Sequence, residues 1–157
     1  MKEVPKSLVI RYQQKIFALV FYLSGNNRDK AYGVAVSSFV ETIRSASLFE
    51  TEDSFLTRLV SVVIRKSHDI RTIPSSDESD LTDFPPEKRN SLIITRRALQ
   101  SLPFENQVLL LLRDQLHLAY KNIAGILRMS DENARIEITQ ARAHLREEIE
   151  KILNHTG

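Results

Sequence analysis

The most informative stretch of this 157-residue chain lies near its carboxyl end, where residues 120–136 read YKNIAGILRMSDENARI. Apolar residues recur at helical spacing on both sides of residues 128–130, which suit a tight connection between two helices. Ser130 is a good N-cap, and two acids in the next turn complement the dipole of a helix that begins at Asp131. The stretch therefore predicts a helix-turn-helix, with a short first helix that ends at Leu127.

Two helices joined this closely need a small side chain where they cross, and Ala124 supplies one. The side chains expected to pack the pair together are Ile123, Leu127, Met129, Ala134 and Ile138. The second helix of such a motif faces the major groove of DNA, and its 3.6-residue period lets only some side chains do so. The candidate DNA-contacting residues are Lys121, Ser130, Asn133, Arg135, Ile136, Thr139, Gln140 and Arg142. An ordinary antiparallel helix pair remains the alternative at this point.

The rest of the chain also has helical patterns. Only four glycines, with no Asn-Gly or Asp-Gly pair, argue against a sheet protein. Gly25 and Asn26 both tolerate a left-handed helix end. The β-branched run at 60–64 is predicted as helix because apolar residues flank it at helical spacing. Apolar periods and breaks predict helices over residues 5–24, 29–45, 53–71, 91–101, 103–113, 120–127 and 131–153.

Charge and composition divide the chain into three parts. Residues 1–73 carry a net charge of +4, residues 74–95 carry −3 and residues 96–157 carry +1. The segment 74–86 reads PSSDESDLTDFPP, which is typical of a solvated tether. We therefore expect an all-α protein of two small helical domains joined by a flexible acidic linker, the C-terminal domain being a helix-turn-helix. The predicted boundaries are 1–73, 74–90 for the linker and 91–157.

Several classes of function are disfavoured by what the sequence lacks. The chain has no cysteine, which excludes a disulfide scaffold, a thiolate metal site and a cysteine nucleophile. Its four histidines show no i, i+4 pair, and no catalytic triad or phosphate loop can be named. No charge-free run is long enough to span a bilayer, and the N-terminus lacks a signal pattern. We expect a cytoplasmic protein that is not an enzyme, with no metal, no cofactor and no membrane span.

Residues 98–146 resemble the C-terminal DNA-binding domain of extracytoplasmic-function sigma factors, within the sigma-70 family. The resemblance rests on Leu102-Pro103, on VLLLLRD at 108–114, on YKNIAGIL at 120–127 and on ARAHLR at 141–146. These elements follow the spacing of the family without a gap. The resemblance implies that this domain binds the upstream promoter element through the helix-turn-helix.

The first block resembles the N-terminal sigma domain more loosely, through LSG at 23–25, SF at 38–39 and FLTRL at 55–59. The resemblance implies binding to core RNA polymerase and to the downstream promoter element. Candidate downstream contacts are basic residues on the third helix, Arg58, Arg65, Lys66 and His68, for which solubility on an exposed face is the alternative role. Candidate polymerase contacts form one apolar stripe on the second helix, namely Val36, Phe39, Val40 and Ile43.

The resemblance as a whole implies a sigma factor that directs RNA polymerase to promoter DNA and is regulated by an anti-sigma factor. Two departures leave alternatives open. The second helix reads KAYGVAVS at 30–37 where the family carries an acidic face, and Glu137 stands where the family has an arginine. Two further hypotheses therefore stay open: a sigma-like mimic that binds an anti-sigma or other regulatory protein without initiating transcription, or a stand-alone helix-turn-helix regulator.

Overall fold

The computed structural model describes residues 6–45, 51–70 and 78–156, and helices make up most of them. No strand occurs among these residues, so the prediction of an all-α fold is confirmed. The helices, in chain order, are α1 (Lys6–Leu23), α2 (Arg28–Arg44), α3 (Glu52–Asp69), α4 (Pro86–Ser101), α5 (Phe104–Leu110), α6 (Tyr120–Leu127) and α7 (Asp131–Thr156). None of the helices described is long and apolar enough to cross a membrane.

Helices α2 and α3 pack against the apolar face of α1. Ile16, Leu19 and Leu23 are fully buried there. The helix ends as predicted, because Gly25 and Asn26 take left-handed conformations with φ of 80° and 64°. The β-branched run of α3 is helical and buries Phe55, Leu59, Val62 and Val63.

Helix α2 packs through a different face from the one that its apolar stripe suggests. Its buried residues are Ala31, Ala35, Ser38, Phe39 and Thr42. Of the predicted stripe only Phe39 is buried, at 8% exposure, whereas Val36, Val40 and Ile43 are 45%, 42% and 40% exposed. Small side chains on the buried face let α2 approach α1 and α3 closely, and this leaves the larger apolar side chains outside.

The described part of the predicted acidic linker is folded. Residues 74–77 lie outside the described part of the chain, but a 3₁₀ turn at Ser79–Leu81 follows them and buries Leu81 to 2% exposure. Arg89 donates hydrogen bonds to the carbonyls of Leu81, Thr82 and Phe84 at 3.0–3.2 Å. Helix α4 begins at Pro86, five residues before the predicted start. The described part of this segment is thus folded against the helices that follow it.

The C-terminal helices form one compact unit. Leu112, Ile123 and Ile138 are fully buried between α5, α6 and α7. Helix α5 begins next to Pro103 as predicted, but at Leu111 it widens into a π-helical turn that runs to Gln115. Helix α7 extends to Thr156, three residues beyond the predicted end.

The N-terminal and C-terminal helices share a continuous apolar core. Gln100 of α4 donates a hydrogen bond to the Tyr22 carbonyl of α1 at 3.0 Å. Arg96 of α4 lies over the rings of Phe21 and Tyr22 and forms two hydrogen bonds with Asp80, at 3.1 and 2.5 Å. Asp80 and Arg96 therefore connect the acidic segment to both groups of helices.

Candidate nucleic-acid interface

Helices α6 and α7 form the predicted helix-turn-helix. The backbone N–H of Met129 donates to the Ala124 carbonyl at 3.0 Å, and the Ser130 hydroxyl accepts from the Asn133 N–H at 3.1 Å. Arg128 takes the left-handed conformation, with φ 57° and ψ 50°, where glycine is the least strained residue. Ala124 is 2% exposed, which agrees with its predicted place at the helix crossing.

The N-terminal half of α7 has one buried face and one exposed face. Ala134, Ile138 and Ala141 are buried against the other helices, at 1% exposure or less. Because successive residues turn by about 100°, Ile136 and Thr139 project from the opposite side. Ile136 is 47% exposed and Thr139 is also exposed, so this side is open to a partner. It has the position expected of a surface that enters a DNA groove.

Arginines gather around Tyr120 on one flank of α7. The guanidinium carbons of Arg113 and Arg135 lie 4.1 and 4.4 Å from the centroid of the Tyr120 ring. Next to them, Arg142 forms a hydrogen bond and ion pair with Asp114 at 2.5 Å. The hydrogen bond to Asp114 raises the pKa of Arg142 above its usual value, so the guanidinium stays charged. The guanidinium ions of Arg113 and Arg135 are suited to contact phosphate oxygens, and Arg142 would first exchange its contact with Asp114.

Arg113 and Tyr120 are candidate interface residues that the sequence interpretation missed. Both residues lie in sequence motifs quoted above, at 108–114 and 120–127, but those motifs gave no reason to expect either side chain at a DNA contact. The π-helical turn at Leu111–Gln115 ends close to α6, and Arg113 also donates to the Leu118 carbonyl at 2.8 Å. Arg113 precedes Tyr120 by seven residues and Arg135 follows it by fifteen, so no local spacing in the sequence signals these contacts, which depend on the turn between α5 and α6.

The other flank of α7 faces α3. Gln140 and His144 line a cavity together with Arg65 and His68, so one predicted upstream contact lies beside two predicted downstream contacts.

The remaining predicted DNA contacts are mostly at the surface. Lys121, Ser130, Asn133 and Arg58 are exposed, and Lys66 is half-buried.

Two of the predicted downstream residues already have partners. Arg65 pairs with Glu41 of α2 at 2.5 Å. The His68 ring meets the Phe104 ring edge-on at 5.2 Å, and its Nδ1 lies 3.8 Å from an Asp69 carboxylate oxygen. In this arrangement neither side chain is a fully open contact for DNA.

The predicted polymerase-contacting stripe borders an apolar groove between α1 and α2. The groove has a volume of about 480 Å³. Val36 and Val40 form one wall with Tyr32, which is 67% exposed, while Val9 and Phe17 of α1 form the other. Phe39 is buried and lines the groove without projecting from it.

Comparison with known proteins identifies the C-terminal part of the chain. Residues 92–145 match the family described as "Sigma-70, region 4", a range that runs from α4 into the middle of α7 and contains the whole helix-turn-helix. This part of the chain is therefore similar to region 4 of the sigma-70 family. The resemblance of the C-terminal helices to the sigma-70 family is thereby confirmed, and the arginines around Tyr120 all lie inside the region 4 match.

The similarity also extends beyond region 4. The RNA polymerase sigma-H factor of Pseudomonas aeruginosa is 26% identical over 167 aligned positions, which cover 93% of this chain and 86% of that protein. This alignment therefore includes the N-terminal helices as well as region 4.

Proposed function

We propose that this protein is an RNA polymerase sigma factor of the extracytoplasmic-function class, which acts in the cytoplasm by binding and not by catalysis. It brings core RNA polymerase to promoter DNA, with region 4 on the upstream element and α1–α3 on the polymerase and the downstream element. The helix-turn-helix with its exposed α7 face carries this proposal. The similarity of nearly the whole chain to a named RNA polymerase sigma factor supports it.

Region 4 supplies the two kinds of contact that sequence-specific binding needs. The arginines next to Tyr120 are placed to bind phosphates, and such contacts set the position of a protein on the duplex. Ile136 and Thr139 are placed to contact base edges in the groove, and contacts of that kind carry sequence information. We infer that the outward face of α7 reads the upstream element.

The apolar stripe on α2 supports a second macromolecular contact. Tyr32, Val36, Val40 and Ile43 are spaced so that they share one face of the helix, and all are at least 40% exposed. Exposed apolar side chains in such a row are typical of a protein interaction site. We assign this surface to core RNA polymerase, and its apolar groove is suited to a helical partner.

The proposal is tested by reconstitution with core polymerase from the same host. The holoenzyme is first used to select binding fragments from host genomic DNA, and the affinity for a selected fragment is then measured. Arg135→Ala should weaken binding and lower the dependence of the affinity on salt concentration, because its guanidinium beside Tyr120 is placed to contact a phosphate. Lys151→Ala is the matched control, because it removes a cation from the same helix about 24 Å from Arg135. Equal affinity of both variants would remove Arg135 from the interface.

A sigma-like mimic remains the second candidate, favoured by the surface of α2. Its carboxylate Glu41 is engaged by Arg65, and its exposed stripe is apolar where the family carries acids. Such a protein would bind an anti-sigma factor, a partner that we also propose as the regulator of an active sigma factor. Recovery of a small partner without polymerase subunits, and no transcription on reconstitution, would favour the mimic.

A stand-alone regulator is the third possibility. It would protect specific duplex sites in footprinting without polymerase, whereas the proposed sigma factor should need the core enzyme for stable specific protection.

A further inference from the structure

A cavity of about 590 Å³ lies where the N-terminal and C-terminal helices meet. Its walls come from α3, from α5 and from the end of α6 with the turn that follows. The apolar residues that line it are Ile64, Phe104, Val108, Leu109, Leu127 and Met129. Small-molecule sites usually have volumes of about 300–1,000 Å³, lie between domains and combine mainly apolar walls with a few polar groups. The cavity fits this description.

The charged groups around the cavity are mostly acidic. Asp69, Glu105 and Glu137 line it from α3, α5 and α7, and all three are exposed. The single arginine of the lining, Arg65, already forms an ion pair with Glu41. With His68 and His144 counted as neutral, the lining has three carboxylates and one guanidinium group. The local field therefore favours a positively charged ligand over a negatively charged one.

The neutral polar groups of the lining also have a defined arrangement. The Asn106 amide nitrogen lies 3.2 Å from Nδ1 of His144, and Gln140 completes the polar side formed by α7. The His68 and Phe104 rings, in edge-to-face contact, add an aromatic part to the lining. An aromatic surface near carboxylates is a favourable environment for an organic cation.

We propose that this cavity is a binding site for a small hydrophobic organic cation, such as an arylalkylammonium ion, which contacts α3 and region 4 at once. A ligand that binds only when these elements are together stabilises that arrangement in proportion to its concentration. Because Gln140, a predicted upstream contact, lines the cavity, a bound ligand would cover this side chain and hold α3 and region 4 together. That consequence rests on the proposed sigma function, whereas ligand binding itself does not.

The binding test uses the full chain without DNA and three fluorescent probes of different charge. Rhodamine 6G is the hydrophobic cation, N-phenyl-1-naphthylamine is neutral and 8-anilinonaphthalene-1-sulfonate is an anion. We expect saturable binding of one rhodamine 6G per chain, at least tenfold tighter than binding of the anion. Equal or tighter binding of the neutral or anionic probe, or no saturable binding of the cation, would overturn the proposal.

A pair of double variants tests the location of the site. Asp69→Asn with Glu105→Gln removes two carboxylates of the lining and keeps the side-chain shapes, so rhodamine 6G should bind roughly threefold to tenfold more weakly. Glu147→Gln with Glu150→Gln removes two exposed acids of α7 that do not line the cavity, and the affinity should stay within twofold. Equal affinity of the two double variants would overturn the site, and a thermal melt of each confirms that it is folded.

The effect of the ligand on promoter binding is measured in a separate experiment. Rhodamine 6G should reduce promoter binding by the holoenzyme of the wild-type chain, and this effect should weaken in the variant of the cavity acids. If the chain binds no polymerase, the sigma proposal fails, but the probe measurements still decide whether the cavity binds cations.

Discussion

Helices α2 and α7 carry the two exposed surfaces proposed for partner binding, and their amphipathic patterns are opposite. Helix α7 buries Ala134, Ile138 and Ala141 and exposes mainly polar and charged residues. Helix α2 buries a face made largely of alanine, serine and threonine, and exposes Val36 and Val40. The pattern of α7 suits a surface that meets DNA and water, whereas the pattern of α2 suits one that is covered by another protein.

The comparison also shows why an apolar stripe does not by itself identify a core face. Burial in α2 depends on how closely two helices approach, and small side chains permit the closest approach. On α2, Val36, Val40 and Ile43 lie outside, whereas Phe39 is the member of the stripe that is buried. Four sets of substitutions test this contrast between α2 and α7, and the expected changes in stability decrease from the first set to the last.

The largest effect is expected from shortening a buried side chain of α7. Ile138 is fully buried, so Ile138→Ala should lower the free energy of unfolding by about 3 kcal/mol through lost apolar burial and a residual cavity. Ile136→Ala makes the same change two residues away on the exposed face and should stay within about 0.5 kcal/mol. Denaturant melts measure both. Similar losses would contradict the assignment of the two faces.

The helix crossing gives the second prediction. Ala124 is 2% exposed, so Ala124→Leu should overpack the contact between α6 and α7 and cost about 2 kcal/mol. The neighbouring Gly125 has open space where a Cβ would be added, and Gly125→Ala should be neutral or stabilising by up to about 1 kcal/mol. An unchanged melting transition for Ala124→Leu would mean that α6 and α7 do not cross tightly.

The third prediction concerns the contact between Asp80 and Arg96, which connects the acidic segment to the N-terminal and C-terminal helices. Hydrogen bonds from Arg96 lower the pKa of Asp80 below its usual value. The stabilisation is therefore complete above about pH 4, the usual range for aspartate, and is lost as the pH falls through the lowered native pKa. Asp80→Asn should cost about 1 kcal/mol at neutral pH and reduce the loss of stability below pH 4.

Asp83→Asn is the matched control for this contact, because it removes an exposed carboxylate from the same segment. Stability curves from pH 7 to pH 2 that coincide for the two variants would rule out a stabilising role for the Asp80–Arg96 pair.

The smallest effect on stability is expected on α2. Val40 is 42% exposed, so Val40→Glu should change the free energy of unfolding by no more than about 0.5 kcal/mol. The same change should weaken capture of core polymerase at least tenfold, because it places a charge in the apolar stripe. Leu153→Glu, at a site on α7 that is 49% exposed, controls for a new surface charge. A large loss of stability in Val40→Glu would assign Val40 to the core instead.

Much of region 4 could be predicted from the sequence because its determinants are local. Ser130 caps α7, Ala124 fills the crossing and Arg128 takes the left-handed turn position within a few residues of one another. The features that escaped prediction depend on residues far apart in the chain. The outward face of α2, the contact of Asp80 with Arg96 and the arginines over Tyr120 each require the packing of several helices.

The central claim is that this chain directs polymerase to promoters, and sequencing of the transcripts made in vitro tests it most directly. Host core polymerase transcribes host genomic DNA with and without the protein, and the 5′ ends of the transcripts are mapped. The account predicts a small set of new start sites, preceded by two shared sequence elements at a constant spacing. Complex formation with core polymerase but no new start sites would contradict it.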